Sequence, residues 1–462
     1  MNLPNYFLAD LPPEATLAPA MISDACRALK SNRERYLVHR STQHLVDVLS
    51  GVAEGWLNPA SPFRKLALTQ GPAATRFSSG TLTRGMDSFF QQLTRENLLS
   101  LVEQDLGHTR RLEETVAGAV ERKTDRASIA TGPEFIVHIT AGNVPNPVLF
   151  SIVLGILTRS AQFVKCATGA SFLPRLFAHS LYEADPKLAA CLEVAEWRGG
   201  NTALETELYQ EADCVTATGS DETLRALRAV IPPKTRFLGY GQRVSFAFVT
   251  AAVLSGLNGG KVVVRAASDV AAWNQLGCLS PHVIYVERGG ALSPEQFCEL
   301  LAQELEKLEA TEPQSELLVE IAAAISARRS MLQTRAAFAR SGQADSDYPV
   351  TNLWASKDST AWTVVYETDP QFQLSCGNRF VYVKPVTDLA EALRSAESVR
   401  GKVSTVGLAA GDDQAQQLAT KLGRWGVTRV CPLGRMQQPP LTWRHDGRPP
   451  LGDLITWTDW EM

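Results

Sequence analysis

The chain lacks the signals that mark several classes of protein. No two of its eight cysteines have the Cys-x-x-Cys spacing of a zinc site or a redox pair. The formal net charge is only -4, and no run of Lys and Arg forms the basic stripe of a nucleic-acid-binding protein. We therefore expect no metal site, no disulfide framework and no nucleic-acid partner. The eight cysteines lie at positions 26, 166, 191, 214, 278, 298, 376 and 431. We expect most of them to be small buried hydrophobic residues.

Signals for export and for membrane insertion are also missing. The first five residues contain no basic stretch followed by an apolar core, so we predict no signal peptide. The most apolar stretch, residues 148–157, is too short to span a bilayer. A cytoplasmic protein without a membrane span is the resulting expectation.

The length of 462 residues and a hydrophobic content of 45% are those of a globular protein with two or three domains. Residues 1 to about 125 show no strand alternation and are predicted to be helical, with one helical pattern over 86–106. From about residue 134, strands alternate with helices, which predicts an α/β fold with mostly parallel sheets. A second alternating region follows residue 280. The glycine-rich residues 255–260 predict a hinge between the two halves.

The first candidate for chemistry is the thiol of Cys278 in the segment NQLGCLSP, residues 274–281. A neighbouring glycine and the Ser-Pro that follows predict a loop in which the backbone can approach a ligand closely. A cysteine acts as a nucleophile when its thiolate is stabilised by an electropositive, partly exposed setting. A structural cysteine in a turn is the alternative. His282, four residues later, could contact the thiolate or be structural.

Three further turns follow predicted strands. Asn143 lies in the segment AGNVPNP, residues 141–147, where its amide could donate to a developing oxyanion. Lys165 ends a strand before a Gly and a Ser that open a helix, a pattern that suits a phosphate or a ribose. Gly219 and Ser220 open another helix in the same way. Neither turn is a GxGxxG fingerprint, and ordinary turns with helix caps are the alternative reading of all three.

The order of these motifs resembles that of the aldehyde dehydrogenase superfamily. More specifically, the chain resembles the LuxC-type acyl-CoA reductases, the reductase component of the bacterial bioluminescence fatty-acid reductase complex, over nearly its whole length. The segments that carry this resemblance are LTRENL at 93–98, GNVP at 142–145, GYGQRVS at 239–245, QLGCLSP at 275–281 and PPLTWRHDG at 439–447.

The resemblance implies an aldehyde dehydrogenase-like α/β fold. Its parts would be a helical N-terminal region at 1–125, a Rossmann-like nucleotide-binding domain at 126–255, a catalytic α/β domain at 256–430 and a C-terminal segment at 431–462. The implied reaction is the reduction of a long-chain fatty acyl-CoA to the aldehyde through a cysteine thioester. An acyl-protein synthetase partner and a homo-oligomer are also implied.

The resemblance also assigns roles to residues. Cys278 would be the nucleophile that accepts the acyl group, and Asn143, with the backbone N–H of Cys278, would form the oxyanion hole. Lys165 would hold the cofactor ribose, with Ser220 near the pyrophosphate. The full set of expected cofactor-binding residues is Lys165, Thr168, Gly219, Ser220, Gly239 and Gly241.

Three departures from the superfamily pattern refine these expectations. The Glu that activates the deacylating water elsewhere in the superfamily is absent before Gly239, which fits a reductase because hydride rather than water must discharge the thioester. The ribose-binding Glu falls at Thr168, and its loss leaves room for a 2′-phosphate, which favours NADPH over NADH. The Glu-x-Phe-Gly-Pro segment, which helps to hold the nicotinamide ribose, is replaced near residues 376–380.

Three other functions stay open at this point. The chain could be an NAD(P)-dependent dehydrogenase that oxidises a free aldehyde, although the missing Glu argues against this. It could be a cysteine acyltransferase that does not reduce its acyl group, since residues 376–380 are altered. It could also be a scaffold without catalysis, because a fold alone does not establish an activity.

Overall fold

The computed structural model describes residues 3–12, 14–256, 259–314, 317–341 and 349–462. The helices in these ranges are α1 Pro19–Tyr36, α2 Thr42–Leu57, α3 Pro62–Thr75, α4 Ser79–Phe90, α5 Arg95–Leu106, α6 Asn146–Leu157, α7 Phe172–Ala184, α8 Pro186–Ala189, α9 Thr202–Glu211, α10 Asp221–Val230, α11 Ala251–Leu254, α12 Gly259–Ala271, α13 Pro294–Thr311, α14 Val319–Arg340, α15 Leu389–Ser395 and α16 Asp412–Trp425. Short 3-10 helices occupy Leu8–Asp10, Glu121–Thr124, Ala272–Gln275, Glu397–Val399 and His445–Gly447.

The strands form three sheets. They are β1 Arg126–Thr131, β2 Phe135–Ile139, β3 Ala161–Cys166, β4 Leu192–Glu196, β5 Cys214–Thr218, β6 Arg236–Tyr240, β7 Val244–Val249, β8 Pro281–Glu287, β9 Thr351–Ala355, β10 Thr363–Glu367, β11 Phe380–Val386, β12 Val403–Ala409, β13 Arg429–Pro432 and β14 Thr456–Glu461. The predicted α/β class with mostly parallel sheets is therefore confirmed.

The N-terminal region is helical, as predicted, but the expected helix over 86–106 is two helices. α4 ends at Phe90 and α5 begins at Arg95. The hydroxyl of Thr94 accepts a hydrogen bond from the backbone N–H of Asn97 at 3.2 Å and so caps the start of α5. Apolar spacing continued through the break, because Leu93 is buried although it lies between the two helices.

The first compact unit comprises Met1–Thr75, Thr83–Gln242 and Pro440–Met462. Its main sheet has five parallel strands in the order β4-β3-β2-β5-β6. Apolar side chains of α1, α9 and these strands form its core, with Ile22, Phe163 and Leu208 fully buried. The chain continues from β2 to one side of the sheet and returns at β5 to the other side. In sheets of this kind, ligands bind at the carboxyl ends of the two strands that flank the switch point, which are β2 and β5 here.

The same unit contains a small antiparallel sheet that the sequence did not predict. β1 pairs with β14 over six residue pairs, from Arg126↔Glu461 to Thr131↔Thr456. All six residues of β14 are exposed. The C-terminal segment therefore ends as a strand.

The second compact unit comprises Arg76–Leu82 and Arg243–Pro439. Its sheet has seven strands in the order β13-β12-β7-β8-β11-β10-β9, and only β9 runs antiparallel to its neighbour. Apolar clusters cover both faces, one around Phe297 and Leu301 and the other around Phe246 and Tyr382. Strands that are buried on both faces have nearly continuous apolar sequences, and such runs predicted these strands.

The boundary between the units differs from the boundary expected after residue 255. β7 hydrogen-bonds to β12 and β8 in the seven-stranded sheet, so the division falls between Gln242 and Arg243. The predicted hinge at 255–260 lies inside the second unit, and its assignment as the link between two halves was wrong. Gly259 and Gly260 belong to α12, while residues 257 and 258 lie outside the described residues.

Candidate active site

Lys165 lies one residue before the end of β3 and is only 5% exposed. Its Nζ lies 5.6 Å from the centre of the Trp197 ring. Within the described residues, no protein group accepts a hydrogen bond from this ammonium. Burial lowers the pKa of Lys165, while the nearby carboxylates of Glu205 and Glu196 oppose that shift. An ammonium at the tip of a buried side chain, with no protein acceptor among the described residues, fits a polar ligand such as a ribose.

The loop after β3 carries Thr168, which is exposed. The Glu196 carboxylate at the end of β4 accepts hydrogen bonds from the backbone N–H of Gly169 at 2.7 Å and of Ser171 at 3.2 Å. These amides at the start of α7 are the ones that the sequence offered to a phosphate. That part of the expectation needs correction, because Glu196 already neutralises the amides of this helix start.

A cationic residue that the sequence analysis missed lies at the same sheet edge. Arg198 follows the end of β4 by two residues and is exposed. In parallel sheets an Arg near the ribose site accommodates a 2′-phosphate. Its position just past a strand end, on the strand next to Lys165, was the signal that could have identified it.

The predicted cofactor-binding residues Gly219, Ser220, Gly239 and Gly241 lie at or just after the carboxyl ends of the adjacent strands β5 and β6. The backbone N–H of Gly219 donates to the Tyr240 carbonyl at 3.2 Å. The Ser220 hydroxyl accepts from the backbone N–H of Thr223 at 3.2 Å and caps α10, as the alternative reading proposed.

Steric contacts explain why residues 239 and 241 are glycines. A Cβ on Gly241 would lie 2.6 Å from Asp221 Oδ1, which accepts from the backbone N–H of Gln242. A Cβ on Gly239 would lie 3.0 Å from the Phe237 ring. Both positions therefore let the backbone pass where a larger residue would displace its neighbours.

The C-terminal segment covers the place where the superfamily's water-activating Glu is missing. The Tyr240 ring stacks on His445, with ring centres 4.6 Å apart, and the Arg448 guanidinium lies 4.2 Å from the Tyr240 centroid. Arg448 also donates to the Gly239 carbonyl at 3.0 Å. His445, within the segment 439–447, therefore packs on the turn at Tyr240, a contact that the sequence could not predict.

Asn143 lies in the loop between β2 and α6 and is exposed. This loop follows the central strand at the switch point of the first unit. The predicted partner in the oxyanion hole, Cys278, belongs to the second unit.

Cys278 is the exposed member of a set of thiols that are otherwise buried or half-buried, and all eight cysteines lie in the described ranges. It lies on the loop between the Ala272–Gln275 turn and β8. The Ser245 hydroxyl donates to the Cys278 carbonyl at 2.7 Å, and Gln437 Nε2 lies 2.6 Å from Ser280 Oγ. A Cβ on Gly277 would lie 3.1 Å from Gln437 Oε1, which explains the glycine before the thiol. The loop prediction for Cys278 is correct.

The turn before this loop has an unusual backbone. Trp273, Asn274 and Gln275 have φ values of 50°, 50° and 61°, so three consecutive residues with side chains are left-handed. Such a conformation costs roughly 1–2 kcal/mol for each L-residue. Residues in sparsely populated conformations concentrate at functional sites, where the surrounding structure holds them.

The segment at 376–380 packs against this turn. Gly377, Asn378 and Arg379 are also left-handed, with φ values of 63°, 55° and 59°. Arg379 is completely buried; its Nε donates to Asn274 Oδ1 at 3.2 Å and its Nη1 to Glu309 at 2.6 Å.

His282 is structural, as the alternative reading held. Its Nδ1 accepts from the Ser375 backbone N–H at 3.2 Å and lies 2.9 Å from the Ser375 hydroxyl. Burial lowers the pKa of His282 to about 4. The imidazole is therefore neutral at physiological pH and supplies no positive charge to a thiolate.

No group of three or more His, Cys, Asp and Glu side chains in the described ranges is arranged to hold a metal ion. Of the helices that the structure describes, none combines the length and the apolar character needed to cross a bilayer.

Comparisons with known proteins agree on one family. A family model described as "Acyl-CoA reductase (LuxC)" matches residues 37–457. The long-chain acyl-protein thioester reductase of Photorhabdus laumondii is 24% identical over 374 residues, which are 80% of this chain and 71% of that protein.

Solved structures show the same fold. The NADP-dependent glyceraldehyde-3-phosphate dehydrogenase of Bacillus halodurans, complexed with NADP, matches with a TM-score of 0.68 at 14% identity, over 96% of this chain and 92% of that one. The NAD-dependent benzaldehyde dehydrogenase of Corynebacterium glutamicum matches with a TM-score of 0.67 at 12% identity, over 96% and 91%. The chain therefore has an aldehyde dehydrogenase fold.

Proposed function

Because the chain belongs to the acyl-CoA reductase (LuxC) family, we propose that it reduces a long-chain fatty acyl-CoA to the aldehyde through a thioester on Cys278. One observation carries this proposal. Among thiols that are otherwise buried or half-buried, Cys278 is exposed, and its loop is fixed by Ser245 and Gln437. An accessible thiol on a rigid loop is what nucleophilic catalysis requires.

The chain's own groups perform the acyl transfer. The Cys278 thiolate attacks the thioester carbonyl carbon, so a new carbon–sulfur bond forms and negative charge moves to the carbonyl oxygen. The Asn143 amide and the Cys278 backbone N–H stabilise that oxyanion. The oxyanion then collapses, the bond to the CoA sulfur breaks, and CoA leaves as a thiolate. After reduction, the thiol group of Cys278 departs from the product carbon as a thiolate and the aldehyde is released.

NADPH is the proposed cofactor, and when bound it supplies the hydride that reduces the thioester. Lys165 would hold its ribose, since its buried ammonium has no acceptor among the described residues. The exposed Thr168 and Arg198 would leave room and charge for a 2′-phosphate. Gly219, Ser220, Gly239 and Gly241 would approach the rest of the dinucleotide at the carboxyl ends of β5 and β6.

The preference for NADPH can be tested at Arg198. Replacing Arg198 with Ala should weaken NADPH binding by about tenfold, because one cation that faces the 2′-phosphate is lost. NADH binding should change by less than about twofold. Titration of cofactor fluorescence would measure both. Equal losses for the two cofactors would contradict the assignment.

The packing at the Tyr240 turn supports reduction of the acyl-enzyme over its hydrolysis. The side chains concerned are Tyr240, His445 and Arg448. In other members of the superfamily a carboxylate near this turn activates water; here stacked rings and a guanidinium occupy the turn. Because Leu238 stands where the superfamily's carboxylate would be, we propose that water is not activated there and that the acyl-enzyme persists until it is reduced.

Partners and location are part of the proposal. The relative from Photorhabdus laumondii is named for acyl-protein thioesters, so we propose that an acyl-protein synthetase can also donate the acyl group. We further propose a cytoplasmic homo-oligomer, and the exposed strand β14 offers an edge for assembly.

The direct test measures NADPH consumption with acyl-CoAs of increasing chain length, beside the variant Cys278→Ala. We expect consumption with long chains and none in the variant. Oxidation of free aldehyde by NADP⁺ without CoA would instead favour an aldehyde dehydrogenase. Acylation of Cys278 without detectable NADPH binding would favour an acyltransferase. If the Cys278 thiol does not react with acyl-CoA at all, the scaffold without catalysis would be favoured.

A further inference from the structure

The nucleophile loop, residues 276–280, is closed at its base by one side chain. Gln275 precedes the loop and Pro281 follows it, so Cys278 lies midway between them. Gln275 Nε2 donates to the Pro281 carbonyl at 2.8 Å. This hydrogen bond joins the two residues that flank the loop, and inside the loop the Ser280 backbone N–H donates to the Gly277 carbonyl at 3.0 Å.

The same side chain binds both main-chain groups of Phe380. The backbone N–H of Phe380 donates to Gln275 Oε1 at 2.7 Å, and Gln275 Nε2 donates to the Phe380 carbonyl at 2.8 Å. Gln275 is only 3% exposed, and its Nε2 also lies 3.3 Å from Ser375 Oγ. The amide therefore anchors the loop to the first residue of β11, deep in the second unit.

The backbone at Gln275 explains why such an anchor is needed. Gln275 ends the left-handed turn at 273–275, and Phe380 follows the left-handed turn at 377–379. Consecutive residues other than glycine rarely hold the left-handed backbone conformation unless other contacts impose it. Arg379 provides a second link through Asn274, and the Gln275 amide joins the residue before the loop to the Pro281 carbonyl after it.

We propose that Gln275 is a positioning residue that fixes the orientation of Cys278 and thereby sets the reactivity of its thiolate. The inference rests on the proposed function, in which Cys278 is the nucleophile. A thiolate is stabilised by backbone dipoles only while the loop holds those dipoles in place. Releasing the base of the loop lets Cys278 rotate away from the groups that stabilise its charge.

The test compares Gln275→Glu with the matched variant Gln162→Glu. Gln275→Glu keeps the shape and the acceptor for Phe380 but removes the amide donor to two carbonyls. The neutral variant Gln275→Asn must change the profile in the same direction, which excludes a charge effect of the new carboxyl on Cys278. Gln162 is also a buried amide; it bonds to His138 and to the Ile152 carbonyl in the first unit. Both changes disturb a buried amide, and only one of them touches the nucleophile loop.

The readout is the rate at which iodoacetamide alkylates Cys278, followed by peptide mass spectrometry between pH 5 and pH 9 in folded protein. We expect Gln275→Glu to slow alkylation at pH 7 by about tenfold and to move the midpoint of the pH profile upward by about one unit. Gln162→Glu should keep the wild-type profile even if its melting temperature falls. If Gln275→Glu does not fold, Gln275→Asn shortens the same anchor and is read in the same way.

The outcomes separate the two proposals. A wild-type Cys278 that reacts no faster than a free peptide thiol would refute the proposed function. A reactive wild-type Cys278 whose profile is unchanged in the folded Gln275 variants would overturn the positioning role and leave the proposed function intact. An equal change in Gln162→Glu would also overturn it, because the effect would then follow from loss of stability.

Discussion

At the scale of single residues, the environment decides what each side chain can do. Burial raises the pKa of Cys26, Cys166 and Cys214 to about 12, so these thiols stay protonated and inert. Cys278 is exposed on its loop. The glycine before it and the Ser-Pro after it predicted this loop from sequence. The left-handed turn at 273–275 could not be predicted, because the contacts that impose it come from residues about 100 positions later.

Lys165 should illustrate a conflict between stability and function. Replacing Lys165 with Met should raise the melting temperature by a few degrees, because a buried ammonium without an acceptor is removed. NADPH binding should weaken at least tenfold, because the ribose loses its donor. Thermal unfolding and cofactor titration measure the two effects. A variant that is less stable and binds NADPH normally would show that Lys165 serves only the fold.

Glu193 should make stability depend on pH. Burial raises its pKa to about 7, although the N–H groups of Leu8 and Val194 donate to it. Between pH 4.5 and pH 7 the folded chain therefore holds a proton that the unfolded chain has lost, and this group contributes less stability as pH rises.

The comparison with Glu193→Gln isolates this contribution. The variant should gain about 3 kcal/mol over the wild type as pH rises from 4.5 to 7.5, measured by urea unfolding. His138, whose pKa burial lowers to about 4, acts in the opposite direction in both proteins and cancels in the difference. A difference that does not vary with pH would contradict the assignment.

At the scale of elements, periodicity and caps predicted the parallel layers well. The sequence predicted strands that alternate with helices after about residue 134, and the structure has helices such as α9, α10 and α16 between strands there. The sequence did not predict the antiparallel strand pairs β9–β10 and β1–β14. β1 and β14 are more than 300 residues apart in the chain, and no local pattern records such a partner. The break before α5 was hidden because Leu93 is buried outside a helix.

Ser220 should have a structural and a binding role that can be separated. Ser220→Ala removes the cap of α10, and Ser293→Ala removes the equivalent cap of α13, where Ser293 accepts from the backbone N–H of Gln296 at 3.1 Å. Each change should cost about 1 kcal/mol in the free energy of unfolding. Only Ser220→Ala should also weaken NADPH binding, by severalfold. If both variants bind NADPH equally well, Ser220 is a helix cap and nothing more.

At the scale of the whole molecule, the predicted family and fold are confirmed by the match over residues 37–457 and by the aldehyde dehydrogenase structures. The division into units could not be predicted as well. β7 joins the seven-stranded sheet although it follows β6 after only three residues, and the sequence pattern does not change there. The cofactor candidates and Asn143 lie in the first unit, and Cys278 lies in the second.

The central claim is that Cys278 carries the acyl group between thioester and aldehyde. The most direct measurement mixes the protein with one equivalent of long-chain acyl-CoA and follows the Cys278 peptide by mass spectrometry, before and after NADPH is added. We predict a peptide heavier by one acyl group, which returns to its free mass as one equivalent of NADPH is oxidised and aldehyde forms. Aldehyde formation without any acylated Cys278, or in the variant Cys278→Ala, would contradict the account.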